Sequence, residues 1–514
     1  MSDKKKIYDT LNEEQKGVFE RLINGENIFI TGNAGTGKSY LVKAFSEWCV
    51  DNKYNLVKTA PTGIAALEIG GSTLHSQFRF KRGVDFTAAT KSPDWLTATD
   101  TLVIEEVSML RMDYFDKVMS YVNLENQRRI KKNVRVLQLV LCGDFFQLPP
   151  VIPQSDIPLL REHYGTDIGG GYAFQSKYWK KLNIKMAYLK TVVRQQDINF
   201  CNVLDACKYG NSNFIGYLMQ NCSRNEFPDD IWVCGKNATV DARNEEGLAK
   251  LKTAVMTNVA KYEGEATEQD GLCDKFFKYK IGAKVVMTVN DSVGRFKNGS
   301  MGVIEKVKMN GIICVRMLHD NKLVDVDKHI FQKTEYVLDK KTLSQKVVGT
   351  AEQYPMKLGY AVTIHKSQGQ TYERMNLEPE IFAVGQLYVA LSRCKSMNGI
   401  YINRPLNPYM VKTSGEVIDF YRNPEEYSFF ANDNEYVNIT VPARYEQEVI
   451  NFINKLEKDE TAKDKAMADA YSELVAERTI ESKNLSRLKS IVKNVLSKKP
   501  KEKISESGEQ LSFF

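Results

Sequence analysis

Absent from this chain are the spacings that announce a disulfide framework or a zinc site. Its nine cysteines, an odd number, include no C-x-x-C pair, and its five histidines include no H-E-x-x-H. Neither kind of site is therefore indicated, and a reducing cytoplasm is the expected compartment. No apolar signal core follows Met1-Ser2-Asp3-Lys4-Lys5-Lys6, and no apolar run approaches the ~20 residues that a membrane span needs. A soluble, non-secreted protein with no membrane partner is expected. A strong charge of one sign is missing as well: 71 basic against 64 acidic residues leave a formal +7, which permits an anionic partner without requiring one. Length is what the chain does have. Its 514 residues exceed one compact core and suggest about three or four domains.

The most informative stretch is Gly32-Asn33-Ala34-Gly35-Thr36-Gly37-Lys38-Ser39, which fits G-x-x-x-x-G-K-[ST]. Residues 27–31 before it read as a buried strand. After it, Leu41, Val42, Phe45, Trp48 and Cys49 recur at helical spacing. A strand, a glycine loop and a helix in this order form a phosphate cradle: the glycines turn backbone N–H groups inward, Lys38 reaches the β- and γ-phosphates, and Ser39 ligates Mg²⁺. Nucleoside triphosphate, read as ATP, and Mg²⁺ are the expected ligands. Upstream, Thr10-x-x-Glu13 reads as a capping box opening a helix that ends at Gly25. Gln15 on that helix is either a reader of the adenine edge or a solvated glutamine.

Further strands end in polar groups along one sheet edge, where ligands collect in open α/β sheets. The strand over residues 55–60 runs into Pro61-Thr62-Gly63-Ile64-Ala65-Ala66. Ser72-Thr73-Leu74-His75-Ser76 follows, with His75 either functional or merely packed. From 78 to 100 periodicity is lost and Phe80, Phe86 and Trp95 are interleaved with basic residues, which suggests a small inserted subdomain. The strand over 101–104 closes on Glu105-Glu106. There one carboxylate, Glu105, suits the Mg²⁺ shell and the second, Glu106, suits the base for an attacking water. A long strand over 134–142 closes on Gly143-Asp144-Phe145-Phe146-Gln147-Leu148-Pro149-Pro150, which places Gln147 as a γ-phosphate sensor.

The ordered series TGNAGTGKS, APTGIAA, STLHS, EEVSM and GDFFQLPP resembles the amino-terminal motor lobe of the PIF and RecD-like DNA helicases of superfamily 1B, to which the phage Dda helicases are related. The second half agrees, with Val192-Val193-Arg194-Gln195, Gly235-Lys236-Asn237-Ala238, Thr363-Ile364-His365-Lys366-Ser367-Gln368-Gly369 and Tyr388-Val389-Ala390-Leu391-Ser392-Arg393. The resemblance spans about residues 12–403. It implies two RecA-like α/β P-loop lobes, 1–195 and 196–404, with a wedge inserted at about 78–100 and an SH3-like β-domain at about 280–348. It also implies ATP hydrolysis between the lobes, 5′-to-3′ movement on single-stranded DNA and unwinding of forked DNA in replication, recombination or repair. Arg194 and Arg393 are suited to meet charge developing on the transferred phosphoryl group; each alone reads more often as a surface or ion-pair residue, and the matched motifs favour the catalytic role. The matched motifs put DNA against Thr62, His75, Asn237, Thr363, His365 and Lys366. A monomer is expected.

Glu105 departs from the family pattern, which usually has Asp before the catalytic Glu; the longer side chain implies shifted or water-mediated Mg²⁺ coordination. Beyond residue 405 no motif remains, and a mostly helical extension is expected, with helices over 445–456 and 467–496. Between 483 and 503 eight basic residues face the single acid Glu502, which makes either a nucleic-acid contact or a solvated arm. The terminal Gln510-Leu511-Ser512-Phe513-Phe514 resembles the motif by which replication proteins dock on sliding clamps through the glutamine, the leucine and the aromatic pair. A tip folded back on the protein itself is the alternative. Two other classes stay open for the whole chain, a P-loop phosphotransferase and a DNA-binding loader without strand separation.

Overall fold

The computed structural model describes residues 5–422, except 82, 166, 167, 183, 196 and 341, together with 437–439 and 511–513. It divides into two units, Met1–Phe429 and Phe430–Phe514. The first unit begins with six strands: β1 Ile28–Gly32, β2 Leu56–Ala60, β3 Ser72–Thr73, β4 Thr101–Ile104, β5 Gln138–Cys142 and β6 Lys185–Leu189. They form one parallel sheet in the order β3-β2-β4-β5-β1-β6. Continuous burial of β1, β4 and β5 explains their unbroken apolar runs, since a parallel sheet is covered on both faces. The helix Lys38–Asp51 buries Leu41, Val42, Phe45 and Cys49 of the stripe read from the sequence, while Trp48 is half-buried.

β7 Trp232–Cys234 opens a second lobe, which is then interrupted by an antiparallel insertion. The insertion comprises β8 Met256–Val259, β9 Lys261–Gly264, β10 Phe276–Tyr279, β11 Lys284–Met287, β12 Met301–Val307, β13 Ile313–Met317, β14 Leu323–Val326, β15 His329–Asp339, β16 Thr342–Gln353 and β17 Met356–Leu358. Five of these, from Lys284 to Leu358, make a sheet in the order β14-β13-β12-β11-β17, and with β8–β10 before it the β region begins at Met256, ahead of the 280–348 expected. The lobe resumes with β18 Ala361–Thr363, β19 Met375–Glu378 and β20 Ile400–Ile402, in a parallel sheet of order β18-β7-β19-β20. The fold is thus two parallel α/β sheets with a β insertion in the second.

The long hairpin β15–β16 reaches back to the first lobe. The Tyr336 hydroxyl accepts from Lys58 N at 3.4 Å, and Gln77 exchanges bonds with the Tyr336 backbone at 2.8 and 3.0 Å. Glu335 takes Ser76 Oγ at 2.5 Å and Arg79 at 3.2 Å.

Several local expectations need correction. The first motor helix spans Glu13–Ile23, and its capping box is built by Asn12 and Gln15, not Thr10 and Glu13; Asn12 lies in extended backbone directly before the helix, where its side chain meets the Gln15 N–H. The strand expected from Val134 begins only at Gln138, the partner of Thr101, and Val134 and Val136 are exposed. Trp95 packs edge-on against Phe78 at 5.0 Å inside the lobe and is not offered to a ligand, whereas Phe86 is exposed and stacks on His163 at 3.8 Å. The chain after 405 is not all extension. The helix Gly415–Arg422 returns to the first lobe, where Phe420 stands 5.3 Å from Phe145 and 4.4 Å from Phe174.

Of the second unit the structure describes one antiparallel pair, β21 Val437–Ile439 with β22 Leu511–Phe513. The helices expected over 445–456 and 467–496, the basic run 483–503, Gln510 and Phe514 lie outside the described residues. No helix among the described residues is long and apolar enough to cross a membrane.

Phe420 is 1 % exposed in the centre of an aromatic cluster, so Phe420→Ala should destabilise the first unit by about 3–5 kcal/mol. Urea unfolding of the full chain measures this; a loss under about 1 kcal/mol would show that the lobe is complete without the returning helix.

Candidate nucleotide site

The glycine loop is pressed from three sides. Gly32, Gly35 and Gly37 have φ of 138°, 83° and 78°, a region that side-chain-bearing residues rarely adopt. Space excludes a Cβ there as well. It would lie 2.1 Å from the Leu189 carbonyl oxygen at Gly32, 2.6 Å from Arg194 Cβ at Gly35 and 2.6 Å from Gln15 Nε2 at Gly37. Lys38 Nζ donates to the Gly32 and Asn33 carbonyls, both at 3.0 Å, and Thr36 Oγ1 donates to Asn33 O at 2.9 Å. Ser39 is exposed in the first turn of the following helix. Gln15 is buried and not solvated: its Nε2 donates to Thr36 O at 3.1 Å, while its Oε1 caps Asn12 N.

Asn33 is fixed by a buried set of partners. Its Oδ1 accepts from Tyr188 at 2.9 Å and Lys208 Nζ at 2.5 Å, and its Nδ2 donates to Asp205 at 3.1 Å. The Lys208 ammonium also lies 4.6 Å from the Phe146 ring centroid. On the sheet side, the Tyr421 hydroxyl meets Thr31 Oγ1 at 2.7 Å and accepts from Phe145 N at 3.2 Å.

The two acids after β4 sit beside the loop. Glu105 is 3 % exposed, and its Oε1 has no hydrogen-bond partner among the described residues. Burial pushes its carboxyl up to about 7, against the pull of a hydrogen bond from the Cys142 thiol. Glu106 holds a left-handed backbone, φ 50° and ψ 42°, which turns the chain sharply off the strand. Burial raises its carboxyl, and the charges of Lys38 and Arg393 oppose the rise. Gln147 is anchored by its amide to Asp144 Oδ2 at 3.2 Å. A buried carboxylate oxygen without a donor, beside a glycine loop that opens a helix with Lys38 and Ser39 in its first turn, fits a magnesium triphosphate. Glu105 and Ser39 would hold the cation, and the loop with Lys38 would hold the phosphates.

Both arginines come to this cleft. Arg194 N approaches the Gly35 carbonyl at 3.3 Å, and its NH1 donates to Ser392 O at 3.2 Å. Arg393 is 2 % exposed; its Nε donates to Val389 O at 3.0 Å and its NH2 to Ser392 Oγ at 2.8 Å. Burial and the neighbouring Arg194 pull its guanidinium down to about 10, with Glu106 opposing them.

The residues expected at DNA fall into two groups. His75, edge-on to Tyr114 at 4.5 Å, lines a cavity of about 380 Å³ together with Thr73, Ser76, Gln269 and Lys333, so the β insertion forms its other wall. Thr62 lies beside that cavity's Pro61 and Gly63, and its Oγ1 caps Ala65 N at 3.3 Å. Thr363, His365, Lys366 and Asn237 sit at the carboxyl edge of the second sheet, where Thr363 pairs with Cys234. Thr363 is buried and caps Lys366 N at 3.2 Å, whereas Asn237 and Lys366 are exposed. Burial lowers the His365 imidazole, which favours its neutral form.

Sequence reasoning passed over Tyr388, whose hydroxyl accepts from Ala34 N at 2.9 Å, and over Asp205, Lys208 and Tyr421. Tyr388 stands inside a quoted motif. The i, i+3 spacing of Asp205 and Lys208 was a weak helical signal, and nothing local marks Tyr421.

Two parallel α/β lobes with a glycine loop on one, and Arg194 brought against it by the segment that follows, define a two-lobed RecA-like P-loop fold. Residues 10–218 match the model of the PIF1-like helicase family. Human ATP-dependent DNA helicase PIF1 is 33 % identical over 433 residues, which cover 80 % of this chain and 63 % of the human protein. The Campylobacter jejuni ATP-dependent DNA helicase Pif1 is 28 % identical over 443 residues, covering 78 % of this chain and 96 % of that protein. Among solved structures, Bacteroides sp Pif1 in complex with ADP-AlF4 has a TM-score of 0.69 at 28 % identity, covering 80 % of this chain and 96 % of that one. The chain thus spans a little under two thirds of its human relative and nearly all of its bacterial one.

A carboxyl raised from its usual 4.5 to about 7 binds its proton more tightly in the folded state than in the unfolded one. Its contribution therefore favours folding at low pH and is lost as pH rises from about 4.5 through 7. Glu105→Gln should remove this loss, leaving the metal-free protein up to about 3 kcal/mol more stable than the parent at pH 8 and little changed at pH 4. Denaturant unfolding at the two pH values reads the difference; equal stabilities at pH 8 would show the carboxylate to be compensated.

Proposed function

We propose that this chain is an ATP-dependent DNA helicase that hydrolyses ATP with Mg²⁺ between its two lobes, translocates 5′-to-3′ on single-stranded DNA and unwinds forked duplexes. The observation that carries the reading is Arg194 packed on the glycine loop at Gly35 and bonded to Ser392 O, next to an Arg393 whose charge, with that of Lys38, reaches Glu106. Hydrolysis needs a base on the water side and cations that answer charge developing on the transferred group. Glu106 suits the first task and the arginines the second. Bound Mg²⁺ would supply Lewis-acid polarisation of the phosphates and charge neutralisation. Arg393 belongs to the lobe carrying Thr363, His365 and Lys366, so closing the cleft on triphosphate displaces one set of DNA contacts relative to the set around His75. Alternating closure and release produce directed movement. The cavity between His75 and the insertion is proposed as part of the single-strand path. A Bacteroides Pif1 structure described as bound to ssDNA supports single-stranded DNA as the partner by analogy.

A monomer acting in the cytoplasm, at sites of replication or repair, is the proposed form. We further infer that the terminal tip docks on a sliding clamp through Gln510, Leu511, Phe513 and Phe514. Pairing of Leu511–Phe513 with Val437–Ile439 competes with that contact, so the pair must open for docking.

Two experiments test these readings. The purified chain should separate a duplex with a 5′ single-stranded tail and leave a 3′-tailed duplex intact, while Lys38→Ala should abolish both unwinding and ATP turnover and keep DNA binding. Equal turnover in Lys38→Ala, or preference for the 3′ tail, would overturn the assignment. Deleting residues 510–514 should preserve ATPase and unwinding and abolish co-purification with the sliding clamp of the same replication system; unchanged clamp retention would remove the tip from any docking role.

A further inference from the structure

The motif that ends in Arg393 begins with a tyrosine to which the reaction above gives no task. Tyr388 is 2 % exposed, and its one hydroxyl joins three elements. The Ala34 N–H of the phosphate loop donates to the phenol oxygen at 2.9 Å, and the phenol faces Asp144 Oδ2 at 3.4 Å. The same Oδ2 takes the Gln147 amide at 3.2 Å, and Oδ1 takes Phe146 N at 3.1 Å. Direction is fixed by chemistry, because a backbone N–H only donates and a carboxylate only accepts. The phenol therefore receives a bond from the first lobe's loop and passes one to the loop that holds Gln147. Its neighbour Asn33 is immobilised by Tyr188, Lys208 and Asp205. That leaves the Ala34–Tyr388 bond as the adjustable contact at this point of the loop.

We propose that Tyr388 is a positioning residue that couples occupancy of the phosphate loop to the Asp144–Gln147 loop and to the arginine pair, its hydroxyl standing in for a phosphate oxygen at the Ala34 N–H while the cleft is empty. The proposal rests on the ATPase reading above. A phosphate oxygen is the stronger acceptor for a backbone N–H because it is charged. When triphosphate takes that N–H, the phenol keeps only its bond to Asp144. Tyr388 lies on the short helix Gln386–Leu391, and Ser392 and Arg393 follow directly. Any displacement of the phenol is therefore passed within five residues to Arg393, and through Ser392 O to Arg194.

Tyr388→Phe removes one oxygen and keeps the ring. The empty cleft then leaves the buried Ala34 N–H without its acceptor, a cost that nucleotide relieves, so KM for ATP should fall by about tenfold. The link to Asp144 is lost as well, so stimulation of kcat by poly-dT should fall by about tenfold or more, toward the DNA-free rate. Asp144→Asn keeps the Tyr388–Ala34 bond and should reduce stimulation while leaving KM at the parental value. A purely structural tyrosine would lower the unfolding midpoint and change neither quantity. Folded Tyr388→Phe with parental KM and parental stimulation overturns the proposal. If that variant does not fold, parental stimulation in Asp144→Asn does so. A parental protein that turns over ATP with DNA stimulation leaves the ATPase reading standing whatever Tyr388→Phe shows, whereas a parental protein without turnover overturns both.

Discussion

A glycine loop that turns its backbone N–H groups inward has to be held open from outside, because glycine loses more conformational freedom on ordering than any other residue and the loop has few side chains of its own to pack. Here each of its three strained glycines touches a different part of the chain: the end of β6 at Leu189, the segment leading into the second lobe at Arg194, and the amino-terminal helix at Gln15. The loop is therefore a junction. Its shape depends on β6 being in register with β1 from Ile28 to Gly32, on the first helix starting at Glu13 so that Gln15 faces inward, and on the inter-lobe segment lying close enough for Val193 N to bond the Gly35 carbonyl at 2.9 Å. A displacement of any one of them is felt at the loop, because each touches one of its glycines.

The second constraint is buried charge. Glu105, Glu106, Asp144, Arg393 and Lys208 are removed from water around this junction, and each buried ion costs several kcal/mol unless it is paired. Lys208 is satisfied by Asn33 and aromatic faces, and Asp144 by three donors. Glu105 is not: one of its oxygens has no donor among the described residues, and its raised carboxyl records the cost. Polar groups left unpaired in a core are tolerated where a ligand completes them. The departure from aspartate at this position thus leaves a carboxylate that is buried, raised and close enough to Lys38 to feel its charge.

The site was legible where its determinants are local and the fold where its periodicity is plain. The loop, its flanking strand and helix, the acid pair after β4 and the strand-end position of Gln147 follow from spacing along the chain, because a phosphate cradle is built from consecutive backbone groups. The first capping box was misplaced because Thr10 and Glu13 satisfy the same four-residue pattern as Asn12 and Gln15; packing of Gln15 against Thr36 selects between them, and packing is not written locally. The strand over 134–142 was read too long because Val134 and Val136 are apolar and yet exposed; pairing starts where Thr101 offers a partner. Tyr388 was passed over for a related reason. A tyrosine at the start of an apolar helix reads as core, and only the tertiary fold shows that its oxygen ends at Ala34, 354 residues away in sequence.

The returning helix Gly415–Arg422 changes what counts as a domain in this chain. Tyr421 bonds Thr31, the residue before Gly32, and also the N–H of Phe145, the residue after Asp144, while Phe420 fills the space between Phe145 and Phe174. The first lobe consequently completes its core with residues made after the whole second lobe. These contacts span 390 residues, so they require the whole intervening chain to be brought back. Until they form, Thr31 and the aromatic pocket under the sheet lack their partners, and the floor of the phosphate loop is unfinished. A boundary drawn at the last motif near residue 403 would cut through this core, since the lobe that carries the glycine loop is finished by the segment that follows the second lobe.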